Sequence, residues 1–250
     1  MSGQRAAAVV RREMRDFRRN RFVIVTMAVL PFVFLITPMI TLFKVPESTT
    51  GSQARAAVGV ISLLLLIVPI VIPPVIAAYS VVGEREQGTL EPVLTSPIEP
   101  SELLLGKAAA VFIPSVAIAY GMYAVVAIAI RFGAAPIVRS VVFHPPQLLA
   151  QILFTPLLAL WSIWACIGIS TRASDVRVAQ QLGSLAGLPL LAFTSLISFQ
   201  LITPSVPLSV ALALALLALD IAGWRVVSRM FDRERLITGT SAPRSRRHVR

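Results

Sequence analysis

The sequence predicts an all-α polytopic membrane protein with six transmembrane helices, an N-terminal amphipathic interfacial helix and a short cytoplasmic helix between spans two and three. Three observations carry that prediction. The chain is 56% hydrophobic and 14% charged with a mean hydropathy of +0.80, too apolar for a water-soluble domain of 250 residues. Runs free of Asp, Glu, Lys and Arg recur at about the 20-residue length that crosses roughly 30 Å of hydrocarbon. Arginines crowd the two ends of the chain and are sparse in alternate connections, as the positive-inside rule requires.

Residues 1–21 carry Arg5, Arg11, Arg12, Arg15, Arg18, Arg19 and Arg21, with Val10, Met14 and Phe17 recurring among them at helical spacing. That pattern predicts a basic amphipathic helix lying on the cytoplasmic leaflet. The apolar run that follows is expected to be a retained span rather than a cleaved twin-arginine or secretory signal. It is long, and Lys44-Val45-Pro46 follows where a small-residue cleavage site would stand.

The predicted spans are 22–43, 58–82, 108–130, 147–170, 182–203 and 208–227, making 22–228 one transmembrane domain. The first, third and fifth connections hold only Lys44, Arg55, Arg131 and Arg139 as basic residues, whereas the tail at 229–250 carries Arg229, Arg233, Arg235, Arg244, Arg246, Arg247 and Arg250. Both termini and the 83–107 loop are therefore expected on the cytoplasmic side of the cell membrane. After Thr238 the tail is basic and poor in apolar residues, a composition of disorder. The net charge of +11 comes from arginines beside spans, where topology and anionic headgroups account for it, so nucleic acid is not the expected partner.

Within the spans, Pro69, Pro73 and Pro74 are expected to break or bend the second helix, since each removes a backbone donor. Gly183 and Gly187 form a G-x-x-x-G pair suited to close helix packing, within one protomer or between two. Asp220 is the one acidic residue at depth, with Arg225 or another polar group as its simplest partner. Cys166 is the sole cysteine, and His144 and His248 are the only histidines, so neither a disulfide nor a His-rich metal site is expected. A P-loop is absent: Gly106-Lys107 is followed by Ala108, and Ser101 stands where the first glycine belongs. The chain is accordingly expected to hold no cofactor and no catalytic residues of its own.

The loop at 83–107, GEREQGTLEPVLTSPIEPSELLLGK, sets Glu84, Glu86, Glu91, Glu99 and Glu102 against Arg85 and Lys107 between two long apolar runs. An acidic, turn-rich loop of this kind fits a basic groove on a partner protein. Gly88 supplies a bend, Thr89 could cap a short helix through Leu94, and Leu90, Val93 and Leu94 would be its apolar contacts. Ser96-Pro97-Ile98-Glu99 has the form of a capping box that would start the helix into the third span.

The run Glu84-Arg85-Glu86-Gln87-Gly88-Thr89-Leu90-Glu91, followed by Leu94-Thr95-Ser96-Pro97 and Leu104-Leu105-Gly106-Lys107, closely resembles the signature of ABC-2 type transporter permeases. The signature falls between the second and third of six spans in that family, as it does here. The basic N-terminus and, more weakly, the run Phe231-Asp232-Arg233-Glu234-Arg235-Leu236 resemble the same family. The resemblance implies a permease subunit that pairs with a second permease, identical or related, and with ATPase subunits that hold the ATP and Mg. It assigns Glu84, Arg85, Glu86, Gly88, Thr89, Leu90 and Glu91 to a coupling helix contacting the ATPase. Val10, Met14 and Phe17 would belong to its interfacial connecting helix, and Thr194, Ser195 and Ser198 would line the substrate path. The connection at 204–207 leaves little room for the re-entrant helices many members carry there. Two other readings stand beside an ATP-driven exporter. One is an intramembrane hydrolase or lipid-modifying enzyme built on Glu84, Glu86 and His144. The other is a non-transporting membrane anchor for an ATPase.

Overall fold

The computed structural model describes residues 3–44, 50–88, 99–199, 202 and 205–230, and helix is the regular structure throughout them. Helix α1 covers Gly3–Arg19 and α2 covers Arg21–Lys44. Asn20 separates them, its Oδ1 accepting from the Val23 amide at 3.3 Å as an N-cap. On α1, Val9, Glu13 and Phe17 are buried four residues apart, while Arg11, Arg12, Arg15, Arg18 and Arg19 are exposed. Val10 and Met14 are half-buried against the same core, so α1 packs on the bundle through one face. In α2, Ile24, Val25, Val29, Phe32 and Ile36 are exposed, as lipid-facing side chains of a span would be.

The centre of the fold is α3, Gly51–Ala78, which runs on through a π-helical turn at Tyr79–Gly83 and a last turn at Glu84–Glu86. Of its apolar window 72% is buried, against 17% for α2, because α2 and five later helices pack around it. The helix that holds the predicted second span, 58–82, thus extends beyond it at both ends. It does not break at Pro69, Pro73 or Pro74, which are all buried in an uninterrupted helix. Surrounding helices hold the segment in place; among the contacts, the Cys166 thiol donates to the Pro74 carbonyl at 3.3 Å. The departure from α-geometry falls instead at Tyr79–Gly83.

Helix α4, Pro100–Gly133, begins later than the predicted capping box. Glu99 is its N-cap, held extended (φ −69°, ψ 144°) by the proline that follows, and its amide faces Glu102 Oε2 at 3.5 Å. Ser96 and Pro97 lie outside the described residues, as do Thr89, Leu90, Glu91 and the tail from residue 231. A short α5, Pro136–Val142, leads to α6, Pro145–Ser170, and the chain closes with α9, Val206–Met230.

Between them the fifth predicted span is divided. Helix α7, Val176–Leu185, is capped by Asp175, whose carboxylate accepts from the amides of Arg177 (2.6 Å) and Val178 (3.3 Å). After a turn at Ala186 and Gly187 comes α8, Leu188–Ser198. Pro189 has no amide to continue α7, and the Trp161 indole donates to the Ala186 carbonyl at 2.9 Å, satisfying the backbone at the break. Five helices among the described residues are therefore long and apolar enough to cross a membrane, not six. The small-residue pair packs inside the protomer. A Cβ on Gly183 would stand 2.8 Å from Cys166 Cβ, and one on Gly187 would stand 2.5 Å from Ile70 Cγ2.

Candidate functional site

The signature residues follow the C-terminal end of α3, at the end of the bundle where α1 carries its arginines, and meet there a lysine that is 1% exposed. Lys107, two turns into α4, donates to Glu13 Oε1 at 2.5 Å, to the Ser80 carbonyl at 2.6 Å and to Glu84 Oε2 at 2.7 Å. One ammonium so joins α1, the π-helical turn and the end of α3. The π geometry belongs to this arrangement, since Ser80, whose carbonyl takes the second bond, lies within that turn. Two carboxylates around one ammonium leave a net negative charge when all are ionised. Burial is the largest influence on Glu13 and raises its carboxyl above the usual range, with Lys107 opposing it and Glu84 adding to it.

Arg85 turns the other way. Its guanidinium donates to the Ser170 carbonyl at 3.4 Å and also to the Ala173 carbonyl, placing a cation on the C-terminal end of α6 and the turn beyond it. Glu86 is exposed. Gln87 donates to the Tyr79 hydroxyl at 2.8 Å, closing the last turn on itself. Gly88 then takes φ +68°, the left-handed conformation that commonly ends a helix, with open space where a side chain would stand. The first residues of the signature therefore fasten the end of α3 to α1, α4 and α6.

Glu13 and Lys107 are the site residues that sequence reasoning did not assign. A signal for Glu13 was present: with Val9 and Phe17 it occupies the apolar face of α1, where an unpaired carboxylate would be costly. Lys107 was visible only as the end of the loop, and its partner Glu13 is 94 residues away.

Val10, Met14 and Phe17 flank Glu13 on α1, whereas, among the described residues, the predicted pathway residues and Asp220 make no bond to this cluster. Thr194 is buried, and its hydroxyl donates to the carbonyls of Leu190 (3.0 Å) and Leu191 (3.1 Å). Ser195 donates to the Ala192 carbonyl at 2.6 Å, and the Ser198 side chain lies outside the described residues. Asp220 is buried in α9 with no hydrogen-bond partner among the described residues on either carboxylate oxygen, while Arg225 is exposed. The expected Asp220–Arg225 pair does not form, because five residues on a helix place the two on different faces. His144 caps the start of α6, about 39 Å of helix from Ser170 at 1.5 Å per residue, and Arg85 beside Glu84 and Glu86 reaches Ser170. An acid–base centre of those glutamates with His144 is thus not assembled. Among the described residues no group of three His, Cys, Asp or Glu side chains could hold a metal.

Residues 7–219 match a family model described as ABC-2 family transporter protein, a range that includes α1 from residue 7, the signature and the start of α9 through residue 219. No curated protein gives a significant match. The family is a transport membrane component without an ATP site of its own, and it normally works with an ABC ATPase. With an all-helical fold and several membrane-length apolar helices, this chain is a multi-pass membrane protein that belongs to the ABC-2 family of transporter proteins.

Proposed function

We infer that the chain is the permease subunit of an ATP-driven exporter, working in the cell membrane with both termini cytoplasmic. It pairs with a second permease copy or relative, and a separate ATPase subunit binds ATP and Mg. The substrate passes between spans, with α7 and α8 together serving as the fifth span, since residues 176–198 have the helical length for a crossing. The ATPase engages the signature loop, including Thr89, Leu90 and Glu91, and its nucleotide-driven movement reaches the spans from there.

The observation that carries this reading is the fastening of Glu84 and Arg85. A displacement applied to an unattached loop would dissipate in the loop. Here the loop begins at a helix end bonded to α1 and α4 through Lys107 and to α6 through Arg85, so the same displacement is delivered to several helices at once. Removing one member of a buried charge cluster strands the others, at a cost of about 3–5 kcal/mol, which makes the junction resist separation.

The test is co-expression with the ATPase encoded beside this gene, followed by detergent pull-down of the intact chain and of a chain whose residues 83–94 are replaced by a Gly/Ser linker. Loop-dependent retention of the ATPase, with ATP hydrolysis that differs from that of the ATPase alone, is the expected result. Equal retention by both chains would overturn the coupling assignment.

A further inference from the structure

Trp161, Trp164, Leu182, Gly223, Met230 and Arg172 line part of a groove of about 670 Å³ between α6, α7 and α9. That volume lies within the roughly 300–1,000 Å³ of small-molecule sites. The groove is open to the outside of the bundle. Its walls follow from sequence: Gly223 of α9 lies against Trp161 and Trp164, and Trp224 meets Trp164 edge-on at 5.3 Å between ring centroids. Arg172, just past the end of α6, is the only charged residue of the lining among the described residues. It is exposed and makes no ion pair among the described residues.

We propose that this groove binds one acyl chain of an anionic phospholipid whose phosphate headgroup pairs with Arg172. An apolar slot between spans with an exposed arginine at its mouth that has no ion-pair partner among the described residues has the chemistry of such a lipid: hydrocarbon below, phosphate above. The groove lies at the end of α6 and α9 proposed to be cytoplasmic, where anionic headgroups are concentrated. A soluble apolar ligand would leave Arg172 without a counter-charge. A second copy of the chain would have to bring an acidic group to the same place.

The protein supplies its own probe, because Trp161 and Trp164 line the groove, Trp224 packs on Trp164, and these are the chain's 3 tryptophans. The full chain is placed in phosphatidylcholine vesicles. Quenching of its fluorescence is then measured as lipids with brominated acyl chains are added, with either phosphatidylglycerol or phosphatidylcholine headgroups. The brominated phosphatidylglycerol is expected to quench at a mole fraction about fivefold lower, the preference one arginine gives near an anionic headgroup. Arg172→Gln should abolish that preference and Arg172→Lys should keep it. Ala222→Phe, which fills the groove from its exposed wall, should weaken quenching by both lipids. Equal quenching by the two headgroups, or a preference that survives Arg172→Gln, would overturn the proposal. Quenching of both lipids that is lost when chains are cross-linked as dimers would also overturn it, by assigning the groove to a second copy.

Discussion

The two halves of the bundle are fastened in different ways. At the arginine-rich end, helices are joined by charged groups: Lys107 to Glu13 and Glu84, and Arg85 to the backbone at Ser170 and Ala173. In the opposite half Arg139 donates to the Ala134 carbonyl at 2.9 Å within the connection from α4 to α5, and the bonds between the long helices are neutral. Gln147 donates to Ser62 Oγ at 3.1 Å, Ser209 reaches the Pro146 carbonyl at 3.4 Å, and Tyr120 donates to the Ile152 carbonyl at 2.7 Å. A charge-assisted bond in a buried site is about twice as strong as a neutral one, and its rupture leaves a stranded charge. On the function proposed above, the first half would move as one body while the second opens. That is the division of labour expected of a permease pushed at one end and opened at the other.

The largest expected effect is from Lys107→Ala, which leaves Glu13 and Glu84 buried without their cation. Unfolding of the purified chain in detergent should show a loss of about 3–5 kcal/mol. Lys107→Met combined with Glu13→Gln and Glu84→Gln removes every charge and should recover most of that stability, since buried ion clusters contribute little net against uncharged replacements. A triple variant as unstable as Lys107→Ala would mean that shape, not charge, holds this end.

Arg85→Ala should cost less, about 1–2 kcal/mol for lost bonds to partly exposed carbonyls, and proteolysis should then cut more readily at residues 170–175. Gly88→Ala has room for its methyl group but must hold φ +68°, a strain of about 1–2 kcal/mol. It should lower ATPase retention with little change in the transmembrane core. Gln147→Ala in the opposite half should fall near 0.5–1.5 kcal/mol and leave ATPase retention unchanged. If Gln147→Ala destabilised the protein as much as Lys107→Ala, the contrast between the halves would be lost.

The smallest effect concerns pH. Glu13 is raised in the folded protein by burial, so the folded chain binds its proton more readily than the unfolded chain does. The resulting stability is fully present below the unfolded value of 4.5 and is lost as pH rises through the higher folded value. Protease access to α1 should therefore decrease as pH is lowered from neutrality toward that value, and Glu13→Gln should remove the dependence.

Most of this architecture was legible because spans are written as charge-free runs of fixed length, and α2, α4, α6 and α9 all lie where such runs stand. Helix ends were less so. Glu99 and Pro100 override the earlier Ser96-Pro97 signal, and the α7–α8 break depends on a bond from Trp161, which is distant in sequence. The prolines of α3 misled because the rule that proline breaks helices weakens where neighbours hold the helix on all sides. The signature gave the candidate site, but how it is fastened rests on contacts 23 to 94 residues apart, which no local pattern encodes. Glu13 on the apolar face of α1 was the one residue that advertised such a contact.

The most direct test of the coupled end uses spin-label pairs in the complex with its ATPase, on a Cys166→Ala background, with distances read by pulsed electron resonance with and without ATP. One pair joins Arg15 on α1 to Glu86 at the end of α3, and the other joins Phe132 on α4 to Val206 on α9; all four positions are exposed. The account predicts an unchanged Arg15–Glu86 distance and a nucleotide-dependent Phe132–Val206 distance. A shift between Arg15 and Glu86 while Phe132 and Val206 stay fixed would contradict it.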